Sequence, residues 1–391
     1  MTLTKDISKE VLRVLDSQEG EMLNFLKDLV LLESPSHNVS LQHQIKEHLE
    51  RTLNDMGFFT LQMNGLHTGG YLYARPLHRE KQIPFQLLVG HCDTVWPEGT
   101  LEEMPVKEKN AKLMGPGVYD MKAGITQIIY ALKTLQIMNL ELPFVPVILI
   151  NTDEEIGSHD STKTIRCLAR KAARAYVLEP PLGTDGKLKT ARKGIGRFSI
   201  TVQGVAAHAG LDPDKGVNAI VELSHQVQQL YAMNDHDRGI TINIGTIEGG
   251  ISPNVVAPVS KAVIDVRVLT KEDGDEITKR ILELTPLNKD VTLQVEGGIG
   301  RLPMERTERN KELWEMARLE GKRLGLELEQ AVAGGGSDAN TTSLYTATLD
   351  GLGTPGDGAH ATHEYIFKNK LIERTALLSL LLLTAPQNAV S

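Results

Sequence analysis

The chain has 391 residues, 41% of them hydrophobic and 24% charged, a composition typical of a globular protein too long for one core. Its formal net charge of −8 argues against nucleic acid or an anionic membrane as the main partner. Two cysteines, Cys92 and Cys167, are too few for a disulfide framework, and the N-terminal segment lacks a secretory apolar region. We expect two domains and a cytoplasmic location.

The first part of the chain alternates between helical and strand patterns. Apolar residues have helical spacing over 17–53 and 123–138. Compact apolar runs of strand length lie at 85–89, 145–151 and 173–179. This order predicts an α/β domain with a mostly parallel sheet and flanking helices, whose functional residues lie at the carboxyl ends of the strands.

The pattern changes close to residue 187. The segment GRFSITVQGV alternates apolar and polar residues, as a half-buried antiparallel strand does, and it begins the order β-α-β-β-α-β. Motifs rich in histidine and carboxylate flank this region, and none lies inside it. We therefore predict an inserted α+β sandwich domain at 188–303 within a discontinuous catalytic domain at 1–187 and 304–391. The apolar run LLSLLLLTA near the C-terminus is too short to span a bilayer and predicts a buried helix.

Five short motifs each bring a histidine or a carboxylate to a strand end or the following turn. Together they offer two imidazoles and three carboxylates with a spare acid beside them, which is what a pair of divalent ions requires. This set predicts a hydrolase. The residues are His91 in GHCDTV, Asp120 in GPGVYDMKAG, Glu154 and Glu155 in NTDEEIGS, Glu179 in VLEP, and His360 in GAHATHEY.

The first two motifs each allow a functional and a structural interpretation. His91 and Asp93 are two positions apart, so Asp93 could hold the second ring nitrogen of a metal-binding His91; a solvated strand end has the same pattern. Cys92, between them, should point into the core. Asp120 follows glycines that permit a tight turn, where its carboxylate could bridge two cations or cap a helix.

Glu154 and Glu155 are adjacent acids that follow a buried strand. Two such charges are costly near a core of low dielectric constant unless a cation compensates them, although a solvated turn is the alternative. We predict that Glu155 is a ligand and Glu154 a free general base. Glu179 precedes two prolines that force a turn, and His363 competes with His360 for the last ligand position.

His208 lies in the predicted inserted domain, on a short loop before a helix. No residue at ligand spacing accompanies it, so a metal-binding role is not expected. A simple surface position and a role as hydrogen-bond donor to a developing oxyanion both remain open.

Three further features of the sequence could bind an anionic substrate. Arg267 is a charge on an otherwise apolar strand, which suggests capture of an anion by its guanidinium fork. Asn254 could add an amide hydrogen bond. A glycine-rich run at 334–340 would let the backbone approach a ligand closely or form an ordinary loop; its candidate residues are Gly335, Gly336 and Ser337.

Over essentially the whole chain these motifs resemble those of the M20 family of metallopeptidases, most closely its glutamate carboxypeptidase (carboxypeptidase G2-like) branch. The family patterns HxDTV, GxGxxDMKGG, TDEExGS and EP occur here as HCDTV, GPGVYDMKAG, TDEEIGS and the dipeptide at 179–180, with Ala123 replacing a glycine. The patterns GxxxHAGxxPxxGxNAI, GG(T/S)DA and GxxHxxxEY occur as GVAAHAGLDPDKGVNAI, GGSDA and GDGAHATHEY. The last match favours His360 over His363.

The resemblance implies a zinc-peptidase-like α/β fold, with a mixed, mostly parallel sheet and an inserted lid and dimerisation domain. It also implies two Zn²⁺ ions per subunit, with Co²⁺ or Mn²⁺ as alternatives. His91 and Glu179 would hold one ion, and Glu155 and His360 the other. Asp120 would bridge the two ions.

The same resemblance implies the remaining roles. Glu154 would deprotonate the bridging water and later protonate the leaving amine, with Asp93 supporting His91. The inserted domain would mediate a homodimer, so that His208 acts in the partner's active site. Arg267 and Asn254 would grip the α-carboxylate of a small-molecule or peptide substrate.

The substrate is the point on which the sequence leaves alternatives. The leading hypothesis is a carboxypeptidase that releases a C-terminal amino acid, glutamate or another acidic residue, with Lys187 facing the side-chain carboxylate; a solvated loop lysine is the alternative for Lys187. A deacylase of acetylornithine or succinyl-diaminopimelate type is the second hypothesis. A catalytically silent binding relative would lack a ligand or the base, and neither is missing here.

Overall fold

The computed structural model describes residues 5–385, and the chain divides into two units. The first unit comprises Met1–Thr190, Arg306–Val332 and Ser337–Ser391; the second comprises Ala191–Glu305 and Ala333–Gly336. The glycine-rich run at 334–340, which the sequence analysis assigned wholly to the catalytic domain, is thus divided between the two units.

Helices and strands alternate through most of the first unit, whereas strands predominate in the second. The helices are α1 Lys5–Ser17, α2 Glu19–Leu31, α3 Val39–Asp55, α4 Thr100–Glu103, α5 Ala123–Ile137, α6 Thr162–Ala169, α7 Ala219–Tyr231, α8 Lys271–Leu282, α9 Glu308–Arg323, α10 Asp338–Ser343 and α11 Lys368–Leu383. The strands are β1 Phe58–Met63, β2 Tyr71–Pro76, β3 Phe85–His91, β4 Lys107–Lys109, β5 Lys112–Met114, β6 Val145–Asn151, β7 Arg174–Val177, β8 Leu188–Arg192, β9 Gly194–Gln203, β10 Thr241–Gly249, β11 Val259–Val268, β12 Thr292–Arg301, β13 Gln330–Ala333, β14 Ala347–Leu349, β15 Gly356–Asp357 and β16 Tyr365–Phe367.

The main sheet of the first unit has the strand order β1-β2-β6-β3-β7-β14. Strands β6, β3, β7 and β14 are parallel, and β1 and β2 extend the sheet in the antiparallel sense. Every residue of β6 is buried, which explains the continuous apolar run VPVILIN. The helices α5 and α11 pack against each other within the core that covers this sheet. The predicted mixed, mostly parallel sheet is therefore confirmed.

The second unit is built on one antiparallel sheet with the order β10-β11-β9-β12. Burial alternates along β9 and β11, as the alternating sequence pattern predicted. Helices α7 and α8 pack against these strands and close a separate hydrophobic core. The chain order β-α-β-β-α-β is the α+β sandwich predicted from the sequence.

A small sheet in the first unit was not predicted. Its order is β15-β16-β5-β4, and its strands have only two or three residues each. Tyr365 of β16 pairs with Met114 of β5, which brings together two loops that lie about 250 residues apart in the sequence. Among residues 5–385, no helix combines the length and apolar character needed to cross a membrane. Helix α11, which contains the apolar C-terminal run, is buried along most of its length.

Candidate metal centre

Three of the five predicted ligands, His91, Glu155 and Glu179, lie at the carboxyl ends of neighbouring parallel strands. His91 is the last residue of β3, and Glu179 follows β7 by two residues. Glu154 and Glu155 begin a short 3₁₀ turn, Glu154–Ile156, just beyond β6. Because β6, β3 and β7 are adjacent, this topology places all four side chains at one edge of the sheet.

One histidine and two carboxylates form the first ligand group. The Nε2 atom of His91 lies 3.3 Å from Oδ1 of Asp120 and 3.4 Å from Oε1 of Glu179. Asp120 belongs to the turn Val118–Lys122 that leads into α5, and its peptide bond to Met121 is cis. The potential ligand atoms of the three residues all lie within 4.8 Å of one another.

The second group shares Asp120 with the first. The Nε2 atom of His360 lies 3.0 Å from Oε2 of Glu155 and 3.6 Å from Oδ2 of Asp120. The two oxygens of Asp120 therefore face different histidines, which is the arrangement expected of a carboxylate that bridges two cations. The structure brings together all five residues that the sequence analysis predicted as ligands.

Asp93 is completely buried and forms hydrogen bonds with several residues of the site. Its carboxylate accepts hydrogen bonds from the backbone amides of Glu154 and Glu155 at 3.3 Å each and from Ser36 Oγ at 2.8 Å. The Nδ1 atom of His91 lies 3.1 Å from the Asp93 carbonyl oxygen and 3.4 Å from its carboxylate. Because Nδ1 faces these oxygens, Nε2 is the ring nitrogen that is left to face a cation.

Two atoms at the centre of the cluster test whether these residues suit a metal ion. His91 Nε2 and Asp120 Oδ1 are buried and have no hydrogen-bond partner. Buried polar atoms without hydrogen bonds are costly, and these two lie 3.3 Å apart, close to a carboxylate oxygen of Glu179. Imidazole nitrogen and carboxylate oxygen are ligands that Zn²⁺ and similar divalent ions accept. The residues present therefore fit such ions.

Burial and the neighbouring charges shift the pKa values of the residues in the ligand cluster. Burial disfavours a charged His91, but Asp120, Asp93 and Glu179 outweigh this effect and raise its pKa well above the ordinary value. Burial raises the pKa of Glu155, and His360 opposes that shift. The contact with Glu155 raises the pKa of His360 to about 9. Excess negative charge thus gathers where a cation is expected.

Glu364 is the main residue of the site that the sequence analysis missed. Its side chain is buried, and its carboxylate accepts four hydrogen bonds. Oε1 binds the backbone amides of Tyr119 and Asp120 at 2.9 and 3.0 Å, and Oε2 binds that of Gly117 at 2.9 Å and Trp96 Nε1 at 3.0 Å. Burial raises the pKa of Glu364 to about 7, although these donors oppose the shift. The sequence signal that could have found it is the glutamate of the GxxHxxxEY pattern, four residues after His360.

A second missed group supports the turn that carries Glu154. Asp338, at the start of α10, accepts hydrogen bonds from Ser158 Oγ at 2.5 Å and from Asn151 Nδ2 at 2.7 Å. Asn151 ends β6, and Ser158 closes the turn after Glu154. The GGSDA motif thus fixes the end of β6 and the loop that carries the predicted base. Its aspartate is a structural residue of the first unit.

His208 and Asn254 lie beside each other in the second unit. The Ala209 amide donates to the Asn254 carbonyl at 2.9 Å, and His208 forms an isolated β-bridge with Val255. The exposed His208 ring accepts backbone N–H groups from Gly210 and Leu211 at Nδ1, both at 3.1 Å. Nε2 therefore carries the proton and can act as a hydrogen-bond donor.

Arg267 and Lys187 each face a carboxylate of the chain. Arg267 Nε and Nη2 donate to the two oxygens of Asp265 at 2.7 and 3.0 Å. The guanidinium therefore forms a two-point contact with a carboxylate, but this carboxylate belongs to the chain itself. Lys187 Nζ lies 2.7 Å from Oε2 of Glu329 and 3.8 Å from Asp185. For either residue to bind substrate as predicted, its cationic group would have to contact a substrate carboxylate in addition to the carboxylate of the chain.

The remaining candidates lie on the glycine-rich run. Gly335 and Gly336 belong to the second unit, where both carbonyl oxygens accept from Arg192 Nη1 at 3.0 and 3.1 Å. Ser337 belongs to the first unit and is fully buried. Its hydroxyl accepts from the Ala339 amide and lies 3.2 Å from Asp350, so it caps α10.

The alternatives for three sequence positions can now be compared with the structure. Cys92 is completely buried in the core, as the alternation predicted. His363 is exposed and belongs to neither ligand group found among the described residues. A Cβ atom at Gly124 would collide with the Leu178 carbonyl oxygen, whereas Ala123 already carries one at a buried position. The second glycine of the motif pair is therefore the one required here.

A cavity of about 410 Å³ opens beside Glu155 in the first unit. Its walls come from two segments, 35–38 and 94–98, together with Ile156. The lining includes the Trp96 ring and contains no lysine or arginine. An acidic, partly apolar lining of this kind does not favour a carboxylate.

The first unit has a mostly parallel sheet, and the second is an inserted sandwich. Two groups of histidine and carboxylate side chains that share Asp120 lie at the strand ends of the first unit. This combination is typical of metallohydrolases. Comparison with known proteins agrees with this class. The M20 peptidase dimerisation domain matches residues 190–286. Carboxypeptidase G2 of Pseudomonas sp. (strain RS-16) is 29% identical over 358 residues, which cover 89% of this chain and 85% of that protein.

Solved structures with the same fold include aminopeptidase PepT from Bacillus cereus, at a TM-score of 0.80 and 21% identity, covering 93% of this chain and 98% of that one. Another is Bacillus subtilis YXEP, described as a dinuclear metal binding peptidase of the M20 family. Its TM-score is 0.71 at 16% identity, with 94% and 98% of the chains covered. These comparisons support an M20 metallopeptidase near the carboxypeptidase G2 branch, because the chain is similar to carboxypeptidase G2 over most of its length and carries the peptidase dimerisation domain.

Proposed function

We propose that the chain is a two-metal hydrolase that cleaves an amide bond and releases a C-terminal amino acid, glutamate or another acidic residue, from N-acyl or peptidyl substrates. The observation that carries this proposal is the pair of ligand groups that share Asp120, next to a second acid, Glu154. His91 and Glu179 would hold one Zn²⁺ with Asp120, and Glu155 and His360 the other. Co²⁺ and Mn²⁺ are alternatives.

The chemistry of the reaction divides between the ions and Glu154. Bound divalent ions would lower the pKa of water towards 7 and polarise the scissile carbonyl. Glu154 would take the proton of the attacking water and pass it to the leaving nitrogen. Asp93 supports this role because it holds the backbone amide of Glu154 and the ring of His91 at the same time.

The substrate carboxylates require cationic and amide donors. We assign the α-carboxylate to Arg267 and Asn254, with the backbone of Gly335 and Gly336 and the Ser337 position contributing close contacts. Lys187 is the proposed partner of an acidic side chain. The cavity beside Glu155 has no cationic lining, which supports placing an uncharged part of the substrate there.

A homodimer through the inserted domain is part of the proposal, and the match to a peptidase dimerisation domain supports it. Strand β10 lies at the edge of its sheet, and Ile247 and Ile251 are 59% and 76% exposed. An unpaired edge next to exposed apolar residues suits pairing with a second copy. His208 would then donate from Nε2–H to the oxyanion in the partner's site. We retain the cytoplasm as the proposed location.

The test is amino acid release from a panel of N-acylated substrates by protein loaded with Zn²⁺. One series varies the C-terminal residue at a fixed acyl group, and a second varies the acyl group at a fixed residue. We expect kcat/KM to depend strongly on glutamate or aspartate and weakly on the acyl group. Dependence on a small acyl group with a basic or diamino residue would instead indicate a deacylase. No release with metal bound would contradict an enzymatic function.

A further inference from the structure

The carboxylate of Glu364 connects three parts of the site at once. Both of its oxygens are saturated, each accepting two N–H donors at 2.9 to 3.0 Å. Three of the donors are the backbone amides of Gly117, Tyr119 and Asp120, in the turn that carries the Asp120 side chain. The fourth is the indole of Trp96, whose ring lines the cavity beside Glu155.

The turn that carries Asp120 needs such a partner. Its amides point the same way at the start of a helical segment, where they have no intrahelical acceptor. Gly117 has a positive φ of 73°, and Asp120 has an extended backbone rather than a helical one. The turn therefore does not hold its own shape by regular hydrogen bonding, and a fixed carboxylate can set it.

Glu364 is itself held by the loop of the second histidine ligand. Its amide donates to the Ala361 carbonyl at 3.0 Å, and the Gly115 amide reaches the Glu364 carbonyl at 3.4 Å. His360, four residues earlier, has a positive φ of 60° and contacts Glu155. Glu364 thus links the loop of His360 to the turn of Asp120 by both side chain and backbone.

We propose that Glu364 is a positioning residue that sets the bridging carboxylate of Asp120 relative to His360 and orients the Trp96 ring in the adjoining cavity. This inference rests on the proposed two-metal function. Glu364 does not touch the predicted metal positions; it acts through the backbone amide of Asp120. An outer carboxylate in this role typically contributes 10- to 100-fold to metal affinity.

The test is Glu364→Gln, which keeps the side-chain shape but turns one acceptor oxygen into a donor facing N–H groups. The affinity of the protein for Zn²⁺ alone and the visible absorption of its Co²⁺ form are measured without substrate. We expect the weaker of the two Zn²⁺ affinities to fall about 10- to 100-fold and the Co²⁺ spectrum to change. In a Trp314→Phe background, the emission of Trp96 should shift because its indole loses a charged acceptor.

Glu222→Gln is the matched control. Glu222 is also buried and accepts two backbone amides and a side-chain amide, but it does so inside the second unit. It should lower the thermal midpoint without changing Zn²⁺ affinity or the Co²⁺ spectrum. If both variants lower the midpoint and neither changes the metal readouts, Glu364 is only structural and the proposal is overturned.

Trp96→Phe provides a second route if Glu364→Gln does not fold. It removes one of the four donors and keeps an aromatic ring. We expect a smaller loss, about 2- to 5-fold in Zn²⁺ affinity, because one charged hydrogen bond is lost. Unchanged affinity would overturn the proposal. Because no reaction is measured, these results are independent of whether the proposed amide hydrolysis is correct.

Discussion

Single residues at this site have separable roles, and Glu154 is the clearest case. It lies next to Glu155, a predicted metal ligand, but belongs to neither ligand group found in the described part of the chain. We expect Glu154→Gln to lower kcat about 10²- to 10⁴-fold, because proton transfer in the transition state is lost. Metal content, measured by elemental analysis, should stay at the wild-type level. Turnover within a few fold of wild type would show that another group is the base.

Protonation of His360 contributes to the expected pH dependence of metal binding, together with protonation of His91. The pKa of His360 is raised to about 9, so at pH 7 its ring carries a proton that a bound cation must displace. The contribution of His360 to the apparent Zn²⁺ affinity should therefore rise with pH, by up to about tenfold per unit, and level off above about pH 9. Calorimetric titration in buffers of different ionisation enthalpy would count the released protons. An affinity independent of pH between 7 and 9 would contradict the assignment.

His91, Glu155 and Glu179 were predictable because each follows an apolar run of strand length, and parallel strands end at one edge, whereas Asp120 and His360 were predicted from their motifs. Glu364 and Asp338 were not predictable on that basis. Both are buried acids whose partners are backbone amides or side chains about 180 to 270 residues away in the sequence. Lys187 illustrates the same limit, because its partner Glu329 is distant in the sequence. Arg267 does not, because Asp265 lies two positions earlier on the same strand and alternation places both side chains on one face.

At the scale of elements, the long patterned segments were predicted well and the short ones were not. Strand β6 and helix α5 lie within a residue of their predicted bounds. The single helical stretch predicted over 17–53 is divided into α2 and α3, with Pro35 in the break. Strands β4, β5, β15 and β16 are too short for a periodic signal, although they bring the loops of Asp120 and Glu364 together.

Helix α10 allows a test of whether Ser337 serves stability or substrate binding. Its hydroxyl forms half of a capping box with Asn340. We expect Ser337→Ala to lower the free energy of unfolding by about 0.5–2 kcal/mol, the usual value of an N-cap. Chemical denaturation would measure this change. Ser379→Ala is the control, because that hydroxyl only bonds within its own helix to Thr375. Unchanged stability with an increased KM would favour a substrate contact.

At the scale of the whole molecule, the proposed dimer predicts complementation between two inactive variants. Glu154→Gln removes the base, and His208→Ala removes the proposed donor to the partner's site. Mixing the two after reversible dissociation should restore about a quarter of wild-type activity, since half of the dimers are mixed and each has one intact site. Activity measured against mixing time would follow subunit exchange. No recovery, with mixed dimers verified by mass, would place His208 in the site of its own subunit.

The insertion of the second unit also orders events during synthesis. His91, Asp120 and Glu179 precede the insert, whereas His360 follows it. Translation of the roughly 115 inserted residues takes about 6 to 23 s at ordinary rates of 5–20 residues per second. During that interval the nascent chain carries one complete ligand group and only part of the other. If two metal ions are bound as proposed, the ligands of the first would be synthesised before the insert is translated and those of the second would be complete only after it.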